Sequence, residues 1–241
     1  MEFNLNGKTA LITGASRGIG KDISIALSRY GAHVVLSARN REKLAEVKDL
    51  ITGEGGEVTV IPADLSMEDD VVHLFSEIEK KFKKLDILVN NAGIGYYDEL
   101  VGFPLEKLDA IYRVNVRGTY QCCQCAMKLM IPRKSGYIIN ISSMQGIKGY
   151  ALQSAYAASK HAIVGITKSL GAEAQKHAIR VSVICPGAVD TELIRDARPD
   201  LDSSQLIHPE DIARVVLFLL SLSERSMVDM VAIRRRNASP F

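Results

Sequence analysis

Short runs of branched aliphatic residues alternate with longer stretches of helical pattern along most of this 241-residue chain. Runs dense in Val, Ile and Leu, without polar alternation, are typical of strands buried on both faces. Helices between such strands imply right-handed crossovers within one parallel sheet. Strands are predicted at residues 9–12, 33–37, 58–61, 86–89, 136–141 and 180–184, with a candidate seventh at 227–233.

Between these strands lie the predicted helices. They cover the residues up to about Tyr30 and residues 41–51, 70–82, 107–131 and 154–176. The pattern predicts an α/β fold: a single doubly wound Rossmann domain spanning residues 1–241, with a parallel sheet of about seven strands and helices on both faces. The one long irregular stretch runs from Pro186 to Pro209, and such loops in compact domains are usually functional.

The composition is that of an ordinary globular protein, with 47% apolar residues, 24% charged residues and a net charge of +2. It shows no global bias toward nucleic acid or a membrane surface. No apolar run approaches the ~20 residues of a membrane span, and we find no secretory signal pattern, so a cytoplasmic location is expected. The four cysteines are expected to be reduced core thiols, and no metal site is predicted.

A glycine-rich loop, Gly14-Ala15-Ser16-Arg17-Gly18-Ile19-Gly20, joins the first predicted strand to the first predicted helix. In that position backbone N–H groups can approach a pyrophosphate at the positive end of the helix dipole. The spacing differs from the better-known Gly-x-Gly-x-x-Gly fingerprint, and glycine turns can also serve only to join a strand to a helix. The context after the first strand favours dinucleotide binding.

The end of the second strand indicates which dinucleotide binds. NAD enzymes place an acid there for the ribose hydroxyls, whereas NADP enzymes accommodate the 2′-phosphate with a cation. This chain reads Ser37-Ala38-Arg39, and Arg17 in the glycine loop can reach the same phosphate. The absence of an acid at this position, together with the two arginines, favours NADP(H).

Tyr156 and Lys160 are spaced to lie on one face of a helix, with Ser143 thirteen residues upstream of the tyrosine. A cation at about 4 Å in an effective dielectric of about 20 stabilises a phenolate by roughly 4 kcal/mol, or about three pKa units. One lysine can therefore bring a tyrosine into the working range of acid–base catalysis. A Tyr-x-x-x-Lys pair can also be an ordinary exposed helical pair; Ser143 and the glycine loop favour hydride transfer between a nicotinamide and a ketone or alcohol.

Here the chain resembles the short-chain dehydrogenase/reductase family, with motifs spread from Thr13 to Pro209. The matching segments are Thr13–Gly20, Asp64-Leu65, Asn90-Asn91-Ala92-Gly93, Asn115, Ser143, Tyr156 with Lys160, and Pro186-Gly187. The resemblance implies a redox enzyme that uses a nicotinamide cofactor.

By this resemblance, Tyr156 is the general acid in reduction and the base in oxidation, and Lys160 lowers its pKa and binds the nicotinamide ribose. Ser143 donates to the carbonyl oxygen, and Asn115 holds a water that links Lys160 to solvent. Further cofactor contacts are implied for Asp64 and Leu65 at the adenine, for Thr191 at the nicotinamide carboxamide, and for Asn91, Ala92, Gly93, Pro186, Gly187 and Val189.

The substrate is expected between the Ser143 loop and the segment 186–209. Besides Ser143, the candidate lining residues are Met144, Gln145, Gln153, Val189 and Leu193. These five form a mostly apolar set, which suits an acyl or aliphatic ketone. Within the family, the motif sequences are most similar to those of 3-oxoacyl-[acyl-carrier-protein] reductases. An acidic carrier protein could then bind at Arg133 and Lys134, which can also be solvated loop charges.

Two departures leave other readings open. The loop before Pro209 is shorter than in those reductases, and the segment 226–233 lacks their usual Val-Asp-Gly-Gly ending. The alternative is a reductase or dehydrogenase of another small carbonyl, sugar or 3-hydroxy acid. A non-catalytic NADP-binding regulator or a structural domain are further readings. Family members associate through their two long helices, which implies a homodimer or homotetramer, and the basic tail 234–241 is expected to be a solvated terminus.

Overall fold

A computed structural model describes residues 3–198 and 201–239. Seven parallel strands form one sheet in the order β3-β2-β1-β4-β5-β6-β7. The strands are β1 (Thr9–Thr13), β2 (His33–Ser37), β3 (Val58–Val60), β4 (Ile87–Asn90), β5 (Gly136–Ile141), β6 (Ile179–Pro186) and β7 (Met230–Ile233). This confirms the predicted doubly wound α/β architecture, including the seventh strand.

Helices cover both faces of the sheet. They are α1 (Gly18–Arg29), α2 (Arg41–Gly53), α3 (Glu68–Phe82), α4 (Leu105–Ile111), α5 (Thr119–Met130), α6 (Ser154–Gln175), α7 (Glu192–Ala197) and α8 (Pro209–Ser221). Buried side chains of α1, α2 and α8 form one apolar layer, and those of α3 and α5 form the core on the opposite face. The carboxyl ends of the strands therefore lie at one edge between two helical layers, which is where this architecture binds ligands.

The predicted helix 107–131 is interrupted in the structure. Between α4 and α5 the backbone widens into a π-helical segment, Tyr112–Gly118. Within it the side chain of Asn115 is buried, and a Cβ on Gly118 would lie 2.7 Å from the backbone oxygen of Leu65. Wide turns of this kind inside helices occur frequently at functional sites.

The C-terminal part holds more order than the sequence indicated. The stretch 186–209, predicted to be irregular, contains α7 and a 3-10 turn at Ser203–Gln205. The helix α8 was not predicted, although its buried residues Ile212, Val216 and Leu219 recur at helical spacing. Among the described residues, no helix has both the length and the apolarity needed to cross a bilayer.

Candidate functional site

A cleft of about 1210 Å³ opens at the carboxyl ends of the strands. Nearly all residues predicted to bind cofactor or substrate line it: Gly14, Ser16, Arg17, Gly18, Ile19, Arg39, Asp64, Leu65, Asn91, Ala92, Gly93, Ser143, Met144, Gln145, Gln153, Tyr156, Lys160, Pro186, Gly187, Val189, Thr191 and Leu193. Gly20 and Asn115 are buried behind its surface. The fold thus brings residues from the whole length of the chain to one place.

The glycine loop packs backbone against backbone. A Cβ on Gly14, whose φ is +64°, would lie 2.9 Å from the Cα of Ala92, and one on Gly20 would lie 2.3 Å from the carbonyl oxygen of Gly14. The amide of Asn91 donates to the carbonyl oxygens of Thr13 and Gly14, at 3.0 and 3.2 Å. Asn91 therefore holds the loop in addition to lining the cleft.

The loop fits a dinucleotide by its own geometry. Helix α1 begins at Gly18 and points its N-terminal end at the cleft, with no side chain capping its first N–H groups. The buried Ser37 hydroxyl at the end of β2 makes no hydrogen bond within the described residues. A hydroxyl of this kind is satisfied by a ligand in the cleft, because an unpaired buried polar group is costly.

Carboxylates already engage the cations at this end of the cleft. Glu192, the first residue of α7, forms ion pairs with Arg17 and with Lys43, the second at 3.3 Å. The hydrogen bond from Arg17 holds the pKa of the Glu192 carboxyl below its usual value. Arg39 lies 3.9 Å from Asp64. Lys43 was not predicted from the sequence. Its position in the first turn of α2, four residues beyond Arg39, was the signal that could have identified it.

Tyr156 and Lys160 are both buried, with 8% and 5% of their surface exposed. The Lys160 ammonium lies 5.7 Å from the centroid of the Tyr156 ring and donates to the carbonyl oxygen of Ile141 at 3.0 Å. Burial lowers the pKa of Lys160 to about 8. Burial, reinforced by Tyr97, raises the pKa of Tyr156 well above its usual value. Desolvation of the phenol thus opposes the lowering of the Tyr156 pKa that the Lys160 ammonium is expected to produce.

Asn115 is fixed from the wide turn before α5. Its Oδ1 accepts from the N–H of Ile94 at 2.8 Å, and its Nδ2 donates to the carbonyl of Ile94 at 2.9 Å and to the Ser159 hydroxyl at 3.1 Å. A Cβ on Gly93 would lie 3.4 Å from both Asn115 Oδ1 and Lys160 Nζ. Asn115 and Lys160 therefore approach each other across Gly93.

A hydrogen-bonded chain links Ser143 to the start of α6. The Ser143 hydroxyl donates to Gln145 Oε1, and Gln145 Nε2 donates to Gln153 Oε1 at 2.5 Å. Ser143 is also close enough to Tyr156 to oppose the rise of the Tyr156 pKa. These contacts place the hydroxyl groups of Ser143 and Tyr156 at the same point of the cleft.

The substrate end of the cleft is more polar than we expected from the sequence. Met144 and Val189, two of the apolar candidates, are 4% and 2% exposed and so are largely packed inside the protein. Further polar residues that we did not predict line the cleft: Tyr96, Tyr97, Lys148, Tyr150, Arg198 and Arg235. No local sequence signal marked them, because they come from loops and from the chain end.

Tyr97 is the missed residue nearest to the predicted chemistry. Its ring centroid lies 5.6 Å from that of Tyr156, and burial raises the pKa of Tyr97 to about 12. A Cβ on Gly95 would lie 2.6 Å from the Tyr97 hydroxyl, so glycine at that position leaves the phenol room beside Tyr156. Among residues 3–198 and 201–239, no cluster of His, Cys, Asp or Glu is placed to hold a metal ion.

Comparison with known proteins extends the likeness over nearly the whole chain. The family described as short chain dehydrogenase matches residues 8–202. The uncharacterised oxidoreductase YxjF of Bacillus subtilis is 34% identical over 218 residues, which are 90% of this chain and 85% of that protein.

Two solved structures are similar in both sequence and fold. A metagenomic short-chain oxidoreductase, crystallised in complex with NADP, is 35% identical, with a TM-score of 0.86 over 97% of this chain and 99% of the other. A candidate NAD(P)-dependent gluconate 5-dehydrogenase from Beutenbergia cavernae, with bound NADP at low occupancy, is 30% identical, with a TM-score of 0.90 over 96% of this chain and 97% of the other.

Proposed function

Because the chain belongs to the short-chain dehydrogenase family, we propose that it transfers a hydride between NADP(H) and a ketone or secondary alcohol. The observation that carries this proposal is the meeting of Tyr156, Ser143 and Lys160 at one end of a cleft whose other end is a glycine loop. Two similar structures hold NADP, which supports the choice of cofactor. The choice of NADP(H) is also supported by three cations at the end of β2, where the strand supplies no carboxylate: Arg17, Arg39 and Lys43.

NADP(H), when bound, supplies or accepts the hydride. In reduction, the Tyr156 hydroxyl donates its proton to the carbonyl oxygen, and burial keeps that hydroxyl protonated until it is needed. The Ser143 hydroxyl donates a hydrogen bond to the same oxygen as negative charge develops there. The Lys160 ammonium stabilises the phenolate that forms, and a water held near Asn115 completes the proposed path to solvent.

A 3-oxoacyl thioester is the substrate that the sequence motifs favour. Recognition of an attached carrier protein has weaker support, because the Arg133 guanidinium binds the buried carboxylate of Asp86 at 3.2 Å. Of the predicted pair, Lys134 alone is then left to meet an acidic partner.

A small polar ketone is the second candidate, and the lining of the cleft favours it. The linked amides of Gln145 and Gln153 and the phenol of Tyr97 can hydrogen-bond hydroxyl groups on a substrate, but they gain nothing from an aliphatic chain. The description of the Beutenbergia cavernae protein names a sugar acid as its substrate.

The test is NADPH oxidation by the purified protein against acetoacetyl-coenzyme A, acetoacetyl-carrier protein, simple aliphatic ketones and ketohexoses. Turnover of at least one ketone, with much slower turnover when NADH replaces NADPH, is expected. Tight NADPH binding without turnover of any ketone would instead indicate a non-catalytic regulator. A much lower KM for the carrier-bound thioester than for the coenzyme A thioester would restore the carrier protein as a partner.

We also propose that the protein forms a homodimer or homotetramer through α4–α5 and α6. Tyr112 and Tyr120 on this surface are 38% and 52% exposed within one chain. Exposed aromatic side chains are enriched where proteins associate. Light scattering coupled to gel filtration tests this, and a monomeric mass at micromolar concentration contradicts it.

A further inference from the structure

The C-terminal tail, residues 234–239, forms part of the cleft wall, although we predicted a solvated terminus. The N–H of Gly187 donates to the carbonyl of Ile233 at 2.6 Å, and a Cβ on Gly187 would lie 3.6 Å from the backbone nitrogen of Arg235. The residue before Gly187, Pro186, lies with its carbonyl oxygen 3.4 Å from the Ser143 hydroxyl. The tail therefore starts next to the proposed carbonyl site.

Specific contacts shape this tail. One guanidinium nitrogen of Arg234 donates to the carbonyl oxygens of Arg235, Arg236 and Ala238, at 3.2, 3.2 and 2.7 Å. The Asn237 amide donates to the side chain of Gln205, which ties the tail to the segment before α8. The tail is thus a held turn, and Arg234 maintains it with one of its guanidinium nitrogens.

Arg235 has a different environment from Arg234. Its side chain lines the cleft and is half-buried, and it makes no hydrogen bond or ion pair within the described residues. A partly desolvated guanidinium gains most from a planar anion such as a carboxylate, which it can bind with two parallel hydrogen bonds. Lys148 also lines the cleft and is half-buried, and it holds its ammonium 5.3 Å from the Tyr150 ring centroid.

The charges lining the cleft are divided between its two ends. Its described carboxylates are Asp64 and Glu192, and both are ion-paired with cations at the glycine-loop end. The other charged residues that line the cleft are all cations: Lys148, Lys160, Arg198, Arg234 and Arg235. Among them, Arg235 has its backbone next to Gly187, whose neighbour Pro186 contacts Ser143. A cleft lined by one sign of charge concentrates ligands of the opposite sign.

We propose that the substrate is an oxo acid, or the corresponding hydroxy acid, whose carboxylate binds Arg235 of the C-terminal tail, with Lys148 as a further cation of the cleft that attracts it. This assignment rests on the proposed ketone reduction and narrows its substrate class. The acyl group of a 3-oxoacyl thioester carries no anion close to the reacting carbonyl, so Arg235 favours the oxo acid over the acyl thioester.

The test compares each acid with a neutral analogue: acetoacetate with methyl acetoacetate, 4-oxopentanoate with its methyl ester, and 5-keto-D-gluconate with L-sorbose. For wild type we expect kcat/KM to favour at least one acid over its analogue by about tenfold or more, with a preference that weakens as salt is added. Arg235→Gln should lower that acid-to-neutral ratio by about tenfold or more. Arg235→Lys should lower it less, and Lys148→Gln should lower it by a smaller factor than Arg235→Gln.

Arg236→Gln is the matched control, because Arg236 is the exposed neighbour of Arg235 and does not line the cleft. Preference for the neutral analogue in all three pairs, or equal loss of the ratio in the Arg235 and Arg236 variants, overturns the carboxylate site.

Calorimetric titration of the same acids into the NADPH complex separates this failure from failure of the proposed function. Acid binding that depends on Arg235 without any turnover overturns the reductase activity and retains the site. Turnover of neutral ketones with no binding of any acid overturns the carboxylate site and retains the reductase activity.

Discussion

The ring of Tyr97 lies 5.6 Å, centroid to centroid, from the ring of Tyr156, and both phenols line the same cleft. The proximity of Tyr97 adds to the burial that raises the pKa of Tyr156. Replacing Tyr97 with Phe removes one of the two phenols, so the pKa of Tyr156 should fall. Reduction needs protonated Tyr156, and the alkaline limb of the kcat profile should therefore move to lower pH.

Tyr96→Phe is the matched control for that measurement. Tyr96 is exposed, and its ring contacts Lys107 rather than Tyr156. An alkaline limb that stays in place in the Tyr97 variant, or moves equally in both variants, contradicts the coupling.

Tyr156→Phe should remove the proton donor while it preserves the shape of the cleft. We expect turnover to fall by roughly 100-fold or more, the usual contribution of a positioned acid or base. The NADPH dissociation constant, measured by fluorescence titration, should change less than about twofold, since Tyr156 is not among the residues proposed to hold the phosphates. Near wild-type turnover in this variant is incompatible with the proposed role.

Arg39→Asp should weaken NADPH much more than NADH. The substitution replaces a phosphate-binding cation with an acid, so we expect the KM for NADPH to rise about tenfold or more while that for NADH changes far less. Arg41→Asp, in the exposed first turn of α2 and outside the cleft, is the control for a general charge effect. Equal effects of Arg39→Asp on both cofactors would falsify the assignment of Arg39.

Glu192→Gln should strengthen NADPH binding. The Glu192 carboxylate occupies Arg17 and Lys43, two cations proposed to meet the cofactor phosphate. Removing its charge releases both, and we expect the dissociation constant for NADPH to fall several-fold, with a smaller change for NADH. Glu68→Gln, which breaks the exposed ion pair with Arg117, is the control. Weaker NADPH binding in the Glu192 variant would show that this carboxylate supports the site.

Lys160 should make stability depend on alkaline pH. Its pKa in the folded protein is about 8, below the usual 10.5, because burial disfavours the ammonium. Between these two values the unfolded chain binds more protons than the folded one, so the free energy of unfolding should rise with pH, by roughly 3 kcal/mol in total. Below pH 8 both states are protonated and the full cost of the buried charge remains.

Lys160→Met should lack this rise. Urea unfolding gives the free energy of unfolding of wild type and variant across the alkaline pH range. The difference between the two pH profiles isolates Lys160, because the titration of other groups cancels. Parallel profiles would mean that the ammonium is better solvated than its position behind Tyr156 indicates.

Local patterns predicted much of the fold and of the cofactor end. Unbroken aliphatic runs identified the six strands through β6, because a strand buried on both faces needs no polar alternation. The interrupted helix at Tyr112–Gly118 was missed, since its wide turn is accompanied by the bonds of Asn115 to Ile94, a partner 21 residues away that no local pattern shows. Helix α8 was missed because the unbroken apolar run at residues 215–220 hides the helical spacing of its buried residues Ile212, Val216 and Leu219.

The sequence by itself determined the parallel sheet, the glycine loop and the spacing of Tyr156 and Lys160, because each depends on residues close together in the chain. Only the tertiary structure brought Glu192 to Arg17 across 175 residues, Tyr97 to Tyr156 and the C-terminal Arg235 to the substrate end of the cleft. Those contacts arise where loops from separate strands converge at one edge of the sheet. Strand order and packing decide that convergence, and no short stretch of sequence encodes it.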